Sequence, residues 1–328
     1  MFFFLPANRV NRRVVGREWG IVIVNPVKIL AVLRLMRPEH WTKNLFVFLP
    51  VFFNGQIFDV PALLACAAVF AAFSFAASSV YCFNDIYDLE ADRQHPTKRN
   101  RPLASGAVSV KTAYAMAAAC FLMSLPALLL FDGRTRYALI AFVLLYYATN
   151  VAYSAWLKQF AIIDVVIVSV GFVLRVWAGG IAAGVQPSEW IIIMTFLLAL
   201  FLAFAKRRDD VILYENTGVS HRKNTARYNT EFMNQIITVI AAVVMVAYIM
   251  YTLSPDVIKR LGSKYIYLTS VFVLMGITRY LQVTIVDSKS GSPEKILLRD
   301  RFIQCCIAGW IGSFIVIVYL MRDETVGR

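Results

Sequence analysis

The sequence predicts an all-α polytopic membrane protein, and three observations carry that prediction. Hydrophobic residues make up 59% of the 328-residue chain and charged residues only 16%, with a mean hydropathy of +0.64. That balance suits one domain dissolved in lipid better than two soluble domains. Apolar runs recur at close to the roughly 20 residues an α-helix needs to cross the hydrocarbon core. Basic residues gather in alternate connections between those runs.

Taken in chain order, residues 1–6 are apolar and precede the basic stretch 9–17, the reverse of a signal peptide, so no cleavage is expected. Residues 27–43 mix Leu30, Leu33, Leu35 and Trp41 with Lys28, Arg34, Arg37 and Lys43, a composition suited to a helix lying in the membrane interface. Residues 1–44 are thus expected to form a cytoplasmic segment ending in an interfacial helix. Nine spans follow, at 45–59, 60–83, 111–131, 135–153, 161–183, 188–205, 231–253, 264–286 and 302–320. The first is short and contains Pro50. The membrane domain is expected to cover 45–320, leaving 321–328 as a short tail.

Orientation follows from Lys and Arg, which are retained on the cytoplasmic side. With the N-terminus inside, cytoplasmic segments hold 24 of the 33 basic residues and the opposite connections hold 7. The N-terminus is therefore expected inside and the C-terminus outside. The five cysteines lie in or at the ends of apolar runs without metal-ligand spacing and read as small core residues. The net charge of +13 has no soluble basic module to carry it, so membrane surface and an anionic substrate are expected rather than nucleic acid.

The chemistry concentrates on the cytoplasmic face. Asp85, Asp88 and Asp92 are spaced three and four apart, which puts three carboxylates on one face of a helix continuing from the second span. Like charges so aligned repel unless a hard divalent cation sits among them, and Mg²⁺, taking a few carboxylates and substrate phosphate oxygens, fits best. Asn84 can add an amide oxygen. A cationic turn follows at once, with Lys98 and Arg101, and suits a metal-bridged diphosphate. Tyr153 and Lys158 flank the next cytoplasmic turn, where Lys158 is a candidate phosphate contact. Arg175 lies deep in an apolar span, where an unpaired charge costs at least about 2.5 kcal/mol, so a partner or anionic ligand is expected; Asp164 lies on a similar face about three turns away. Lys206, Arg207, Arg208, Asp209 and Asp210 form a second polar cluster, with anion binding foremost because adjacent carboxylates diverge by about 100° on a helix. Lys43 and Asn44 complete the rim.

The run NDIYDLEAD at 84–92, continued by RQHPTKRNRPLASG at 93–106, strongly resembles the first aspartate motif of the UbiA superfamily of intramembrane prenyltransferases. The resemblance implies a nine-helix bundle with a cytoplasmic-facing polar cavity under a cap, in a bacterial-type cytoplasmic membrane. RPEHWTKN at 37–44, YSAWLK at 153–158, GFVLRVWAGG at 171–180 and KRRDD at 206–210 look most like the branch that transfers phosphoribose to decaprenyl phosphate. That branch implies a phosphoribosyl diphosphate donor, a polyprenyl phosphate acceptor and Mg²⁺, with release of diphosphate. Typical aromatic prenyltransferases of the superfamily carry a second spaced aspartate motif; here Asp209 and Asp210 stand adjacent behind three cations.

Under this reading Asp85, Asp88 and Asp92 are the catalytic carboxylates and, with Asn84, the metal ligands. Lys43, Asn44, Asn84, Lys98, Arg101, Tyr153, Lys158, Arg175, Lys206, Arg207, Arg208 and Asp210 bind substrate. The competing readings are an aromatic or quinone-pathway prenyltransferase fed by a prenyl diphosphate, and a non-catalytic transporter or scaffold. A homo-oligomer is compatible with the sequence.

Overall fold

A computed structural model describes residues 26–94, 98–218, 224–287 and 293–321. Residues 1–25 of the expected N-terminal segment at 1–44, all but Met321 of the expected tail at 321–328, and His95 and His221 lie outside the described residues.

The described residues fold as helices without a strand. In chain order these are α1 (Pro26–Met36), a 3₁₀ helix (Pro38–Phe48), α2 (Leu49–Phe53), α3 (Val60–Tyr87), α4 (Leu89–Gln94), α5 (Val110–Met123) and α6 (Gly133–Ala155). They continue as α7 (Ile163–Ala183), α8 (Glu189–Thr217), α9 (Thr230–Leu253), α10 (Pro255–Leu261), α11 (Ser270–Ile285), α12 (Pro293–Arg299) and α13 (Arg301–Ile315). Eight of these, some lengthened by a 3₁₀ or π turn, are long and apolar enough to cross a membrane. They fall at eight of the nine expected positions.

Local sequence starts and stops them. Asp59, Ser109, Asp132, Ser188, Asn229 and Asp300 each cap the helix that follows by accepting a backbone N–H three residues on. Gly184, Gly218 and Gly262 end α7, α8 and α10 in the left-handed conformation that favours glycine.

Two expectations are corrected. Residues 45–59 do not form a membrane-length helix: the 3₁₀ helix and the five-residue α2 stand there, followed by a turn. Arg37, in the left-handed region at φ 52°, and Pro38 break the chain away from α1. From Arg37 the chain descends antiparallel to α3. Arg37 pairs with Asp85, Trp41 donates to Ser78, Asn44 to Ser74, the Cys66 thiol approaches the Val47 carbonyl, and Ile57 N–H reaches the Tyr319 hydroxyl beside the last helix. The close approach depends on glycine, because a Cβ on Gly179 of α7 would stand 1.9 Å from the Val47 carbonyl oxygen. The second correction is α8, expected to end at 205 but extending to Thr217, so the 206–210 cluster stands on a helix.

One apolar core joins α3, α6 and α7, including Val69, Phe73, Leu139 and Leu174; another joins α8, α9 and α11, including Phe201, Ile237 and Tyr280. Helices α7 and α8 pack together and link the two. The polar residues of α3, α6, α7 and α8 meet at that seam.

Candidate active site

The carboxylate end of α3 is interrupted at Asp88. The helix stops at Tyr87 and resumes at Leu89, yet Asp88 N–H still bonds the Asn84 carbonyl and Asp92 N–H the Asp88 carbonyl, so the expected face is kept across the break. Asp85 and Asp92 are buried and share Arg101, whose Nη1 lies 3.2 Å from Asp85 and 2.6 Å from Asp92. Arg37 also pairs with Asp85 and lies over the Tyr81 ring. Asp88, part exposed, accepts from Lys158 Nζ at 2.5 Å, and that ammonium stands 4.9 Å from the Tyr87 ring centre. The Ser154 hydroxyl lies within hydrogen-bond distance of both Asn84 Oδ1 and the Asn150 carbonyl, sharing its one proton between them and tying α6 to α3.

Among the described residues no three His, Cys, Asp or Glu side chains are gathered closely enough to hold a metal ion. The four-ligand site expected at Asn84, Asp85, Asp88 and Asp92 is therefore not assembled in this arrangement; cationic side chains stand on the carboxylates instead. The donor set still fits a hard divalent cation, being all oxygen. Asp85 Oδ2 is moreover buried without a hydrogen-bond partner, a lone acceptor for a ligand.

Beside the carboxylates opens a cavity of about 560 Å³. Its polar lining includes Lys43, Asn84, Asn150, Tyr153, Arg175, Lys206 and Arg207, while Phe46, Val80, Ile167, Phe172 and Leu202 give it apolar walls. Asn84 joins the cavity to the carboxylate cluster. A space with one charged end and greasy walls suits an amphiphile bearing phosphate.

Arg175 stands in the cavity wall, buried at 5% exposure. Its Nε donates to Asn44 Oδ1 at 2.6 Å, Nη1 to the Gly171 carbonyl at 2.7 Å and Nη2 to the Tyr146 hydroxyl at 3.0 Å. Every one of these partners is neutral. Asp164 is not its counter-ion, although the spacing had placed them on similar faces. Asp164 instead accepts from Arg207 Nε at 2.6 Å, because α8 packs on α7 and brings Arg207 to the mouth of the seam. Arg207 also donates to Tyr153 at 3.1 Å and pairs with Asp210 at 3.3 Å. Tyr228 receives the Ile162 N–H, which reaches it because Ile162 is held at φ 70°. Burial holds the Tyr228 phenol up at about 12.

Most of the expected residues meet here, but Arg208 does not. Offset about 100° from Arg207 around α8, it reaches Asn234 at 2.6 Å and the Thr284 carbonyl at 2.8 Å, clamping α9 and α11. Lys98 lies on a short 3₁₀ turn after the carboxylates, away from the cavity lining. Sequence reasoning left Arg37 and Ser154 outside the site. Arg37 carried a signal in its position just before Pro38, whereas Ser154 carried none.

Fold and site together define a polytopic membrane protein with a carboxylate cluster beside a cavity of mixed cationic and apolar lining. The model of the UbiA prenyltransferase family matches residues 45–303, and the chain belongs to that family. It is 32% identical over 300 residues to a decaprenyl-phosphate phosphoribosyltransferase of Corynebacterium glutamicum, covering 90% of each chain. It is 34% identical over 301 residues to the enzyme of that name from Mycolicibacterium smegmatis, covering 89% of this chain and 93% of the other. A UbiA homologue from Archaeoglobus fulgidus solved with GPP and Mg²⁺ superposes with a TM-score of 0.64 at 20% identity, over 88% of this chain and 99% of that one.

Proposed function

We propose that this protein transfers 5-phosphoribose from phosphoribosyl diphosphate to a polyprenyl phosphate, releasing diphosphate. The similarity over nine-tenths of each chain to the phosphoribosyltransferases carries the reading. The chemistry of the cavity supports it: both substrates are phosphates, one with a long apolar tail, and the cavity lining combines four cations, Lys43, Arg175, Lys206 and Arg207, with apolar walls.

In the reaction, an oxygen of the acceptor phosphate forms a bond to the anomeric carbon as the bond from that carbon to diphosphate breaks, its electron pair leaving with diphosphate. The acceptor is already ionised at neutral pH and needs no strong base. Positioning and charge stabilisation are therefore the protein's main tasks. Asn84, Asp85, Asp88 and Asp92 would hold Mg²⁺, which when bound neutralises charge on the departing diphosphate. Lys158 and Arg101, which pair with the carboxylates, would contact a diphosphate held there. Lys43, Lys206 and Arg207 grip the other phosphates at the cavity mouth, and Arg175 supplies a cation lower down. The apolar wall beneath holds the first part of the polyprenyl chain.

In this account residues 37–57 are the ninth crossing. They run from Asp85 at one end of α3 to Tyr319 at the other, which carries the N-terminus to the cytoplasmic side with the carboxylates and leaves the C-terminus outside. Purified protein in lipid should consume phosphoribosyl diphosphate and polyprenyl phosphate together, only with Mg²⁺. Consumption of a prenyl diphosphate with no binding of phosphoribosyl diphosphate would instead establish the prenyltransferase reading.

A further inference from the structure

At the end of the bundle opposite the carboxylates lies a second cavity of about 220 Å³, lined by Asn54, Gly55, Gln56, Arg260, Leu261, Val318 and Tyr319. Its wall is built by the turn after α2, which Tyr319 pins by donating to the Gly55 carbonyl and accepting the Ile57 N–H. Gly55 holds φ +71° there, so the turn keeps its shape without a side chain intruding. Two polar atoms in this wall are buried without a partner: Arg260 Nε, a donor, and Gln56 Oε1, an acceptor. Among the described residues Arg260 makes no hydrogen bond or ion pair, and none of those that line the cavity is a carboxylate.

Arg260 as a whole is half-buried, but its Nε is not exposed, and a buried N–H donor with no acceptor costs about 1–3 kcal/mol, so that atom marks a place where a ligand belongs. The cation is also out of place by topology. The connection at 254–264 carries Lys259, Arg260 and Lys264 on the side where basic residues are few. Retention in the cytoplasm does not explain them. Beside the cavity, Phe58, Val60 and Leu320 are 70%, 60% and 78% exposed, giving an apolar strip directly next to the polar pocket.

From this juxtaposition we infer that the cavity binds the headgroup of a membrane phospholipid carrying a phosphate and a primary amine. The phosphate accepts from Arg260, the ammonium donates to Gln56 Oε1, and the acyl chains lie along Phe58, Val60 and Leu320. A free phosphate would satisfy Arg260 but leave Gln56 Oε1 and the apolar strip unused. Only the outward orientation of this end rests on the topology proposed above; the pocket and its two lone atoms do not.

The test uses the full chain in detergent, with lipid retention followed by native mass spectrometry and thermal shift. The probes are phosphatidylethanolamine, phosphatidylcholine and inorganic phosphate, and the variants Arg260→Met and Gln56→Leu. Wild-type protein should retain phosphatidylethanolamine at least tenfold better than Arg260→Met and several-fold better than Gln56→Leu. It should prefer phosphatidylethanolamine to phosphatidylcholine, which has no N–H, and gain little from inorganic phosphate. Transferase activity of both variants should match wild type, showing that they fold. Equal retention by wild type and Arg260→Met overturns the site, and an equal shift with inorganic phosphate overturns the lipid assignment. Equal binding of the two lipids overturns the amine contact. Should Arg260→Met fail to fold, Arg260→Gln provides the same comparison.

Discussion

Replacing Asp164 by Asn tests the seam between α7 and α8. The carboxylate is fully buried and receives Arg207 Nε at 2.6 Å, while the Arg207 side chain is itself only 8% exposed. Removing one partner of such a pair commonly costs about 3–5 kcal/mol, because the other charge is left without compensation. Arg207 keeps Asp210 at 3.3 Å, but that carboxylate is 35% exposed and screened, so it offsets only part of the loss. A destabilisation of about 2–3 kcal/mol is expected for Asp164→Asn. Arg207→Met should cost more, because Asp164 then retains only the Tyr228 hydroxyl at 3.5 Å. The double variant removes both charges and should be more stable than Arg207→Met, giving a coupling of about 2 kcal/mol or more. Equilibrium unfolding in mixed micelles measures all three variants and wild type. A coupling below about 0.5 kcal/mol would refute the argument, showing that the two groups are independently solvated.

Four further outcomes are expected. Arg175→Met should lower kcat/KM at least about 30-fold, the low end for removing one partner of a buried charge contact, while the unfolding midpoint moves little; a loss of folded protein with no separable activity defect would show a structural role. Asp88→Asn should reduce turnover by on the order of 100-fold and stability by under about 1 kcal/mol, because its pair with Lys158 is part exposed; unchanged product formation would remove the carboxylates from catalysis. Gly179→Ala should destabilise by about 3 kcal/mol, since the obstacle is the Val47 backbone and not a side chain that can turn away, which detergent unfolding would read directly. For Tyr228, burial keeps the proton up to about 12 in the folded protein, whereas the unfolded phenol loses it near its usual 10. Its stabilising contribution is complete below pH 10 and is lost between pH 10 and 12, so Tm should fall more steeply over that range in wild type than in Tyr228→Phe.

Much of this was legible in the sequence, and the exceptions have physical causes. Spans were readable because lipid requires apolar runs of a set length, and eight helices stand where those runs do. The segment at 45–59 was expected as a span, but a 3₁₀ helix and a short α-helix stand there, held by contacts with α3 and α7 that composition does not reveal. The end of α8 was missed because charged residues were read as a loop, whereas the helix carries them past the apolar boundary. The one-sided face of Asp85 and Asp92 follows from helical spacing and survives the break at Asp88. Pairing across helices does not follow from spacing: Asp164 lay on a similar face to Arg175, yet its partner is Arg207 on α8. Arg207 and Arg208 are adjacent in sequence and identical in kind, and only the packing of α8 sends one to the cavity and the other to α9 and α11.

The central claim is that the donor is a sugar diphosphate. Its most direct test is transfer by the purified protein in lipid, supplied with phosphoribosyl diphosphate labelled in the ribose, polyprenyl phosphate and Mg²⁺. The account predicts label in the lipid fraction, abolished by chelation and by Asp88→Asn. Absence of lipid label, with a prenyl diphosphate consumed under the same conditions, would contradict it.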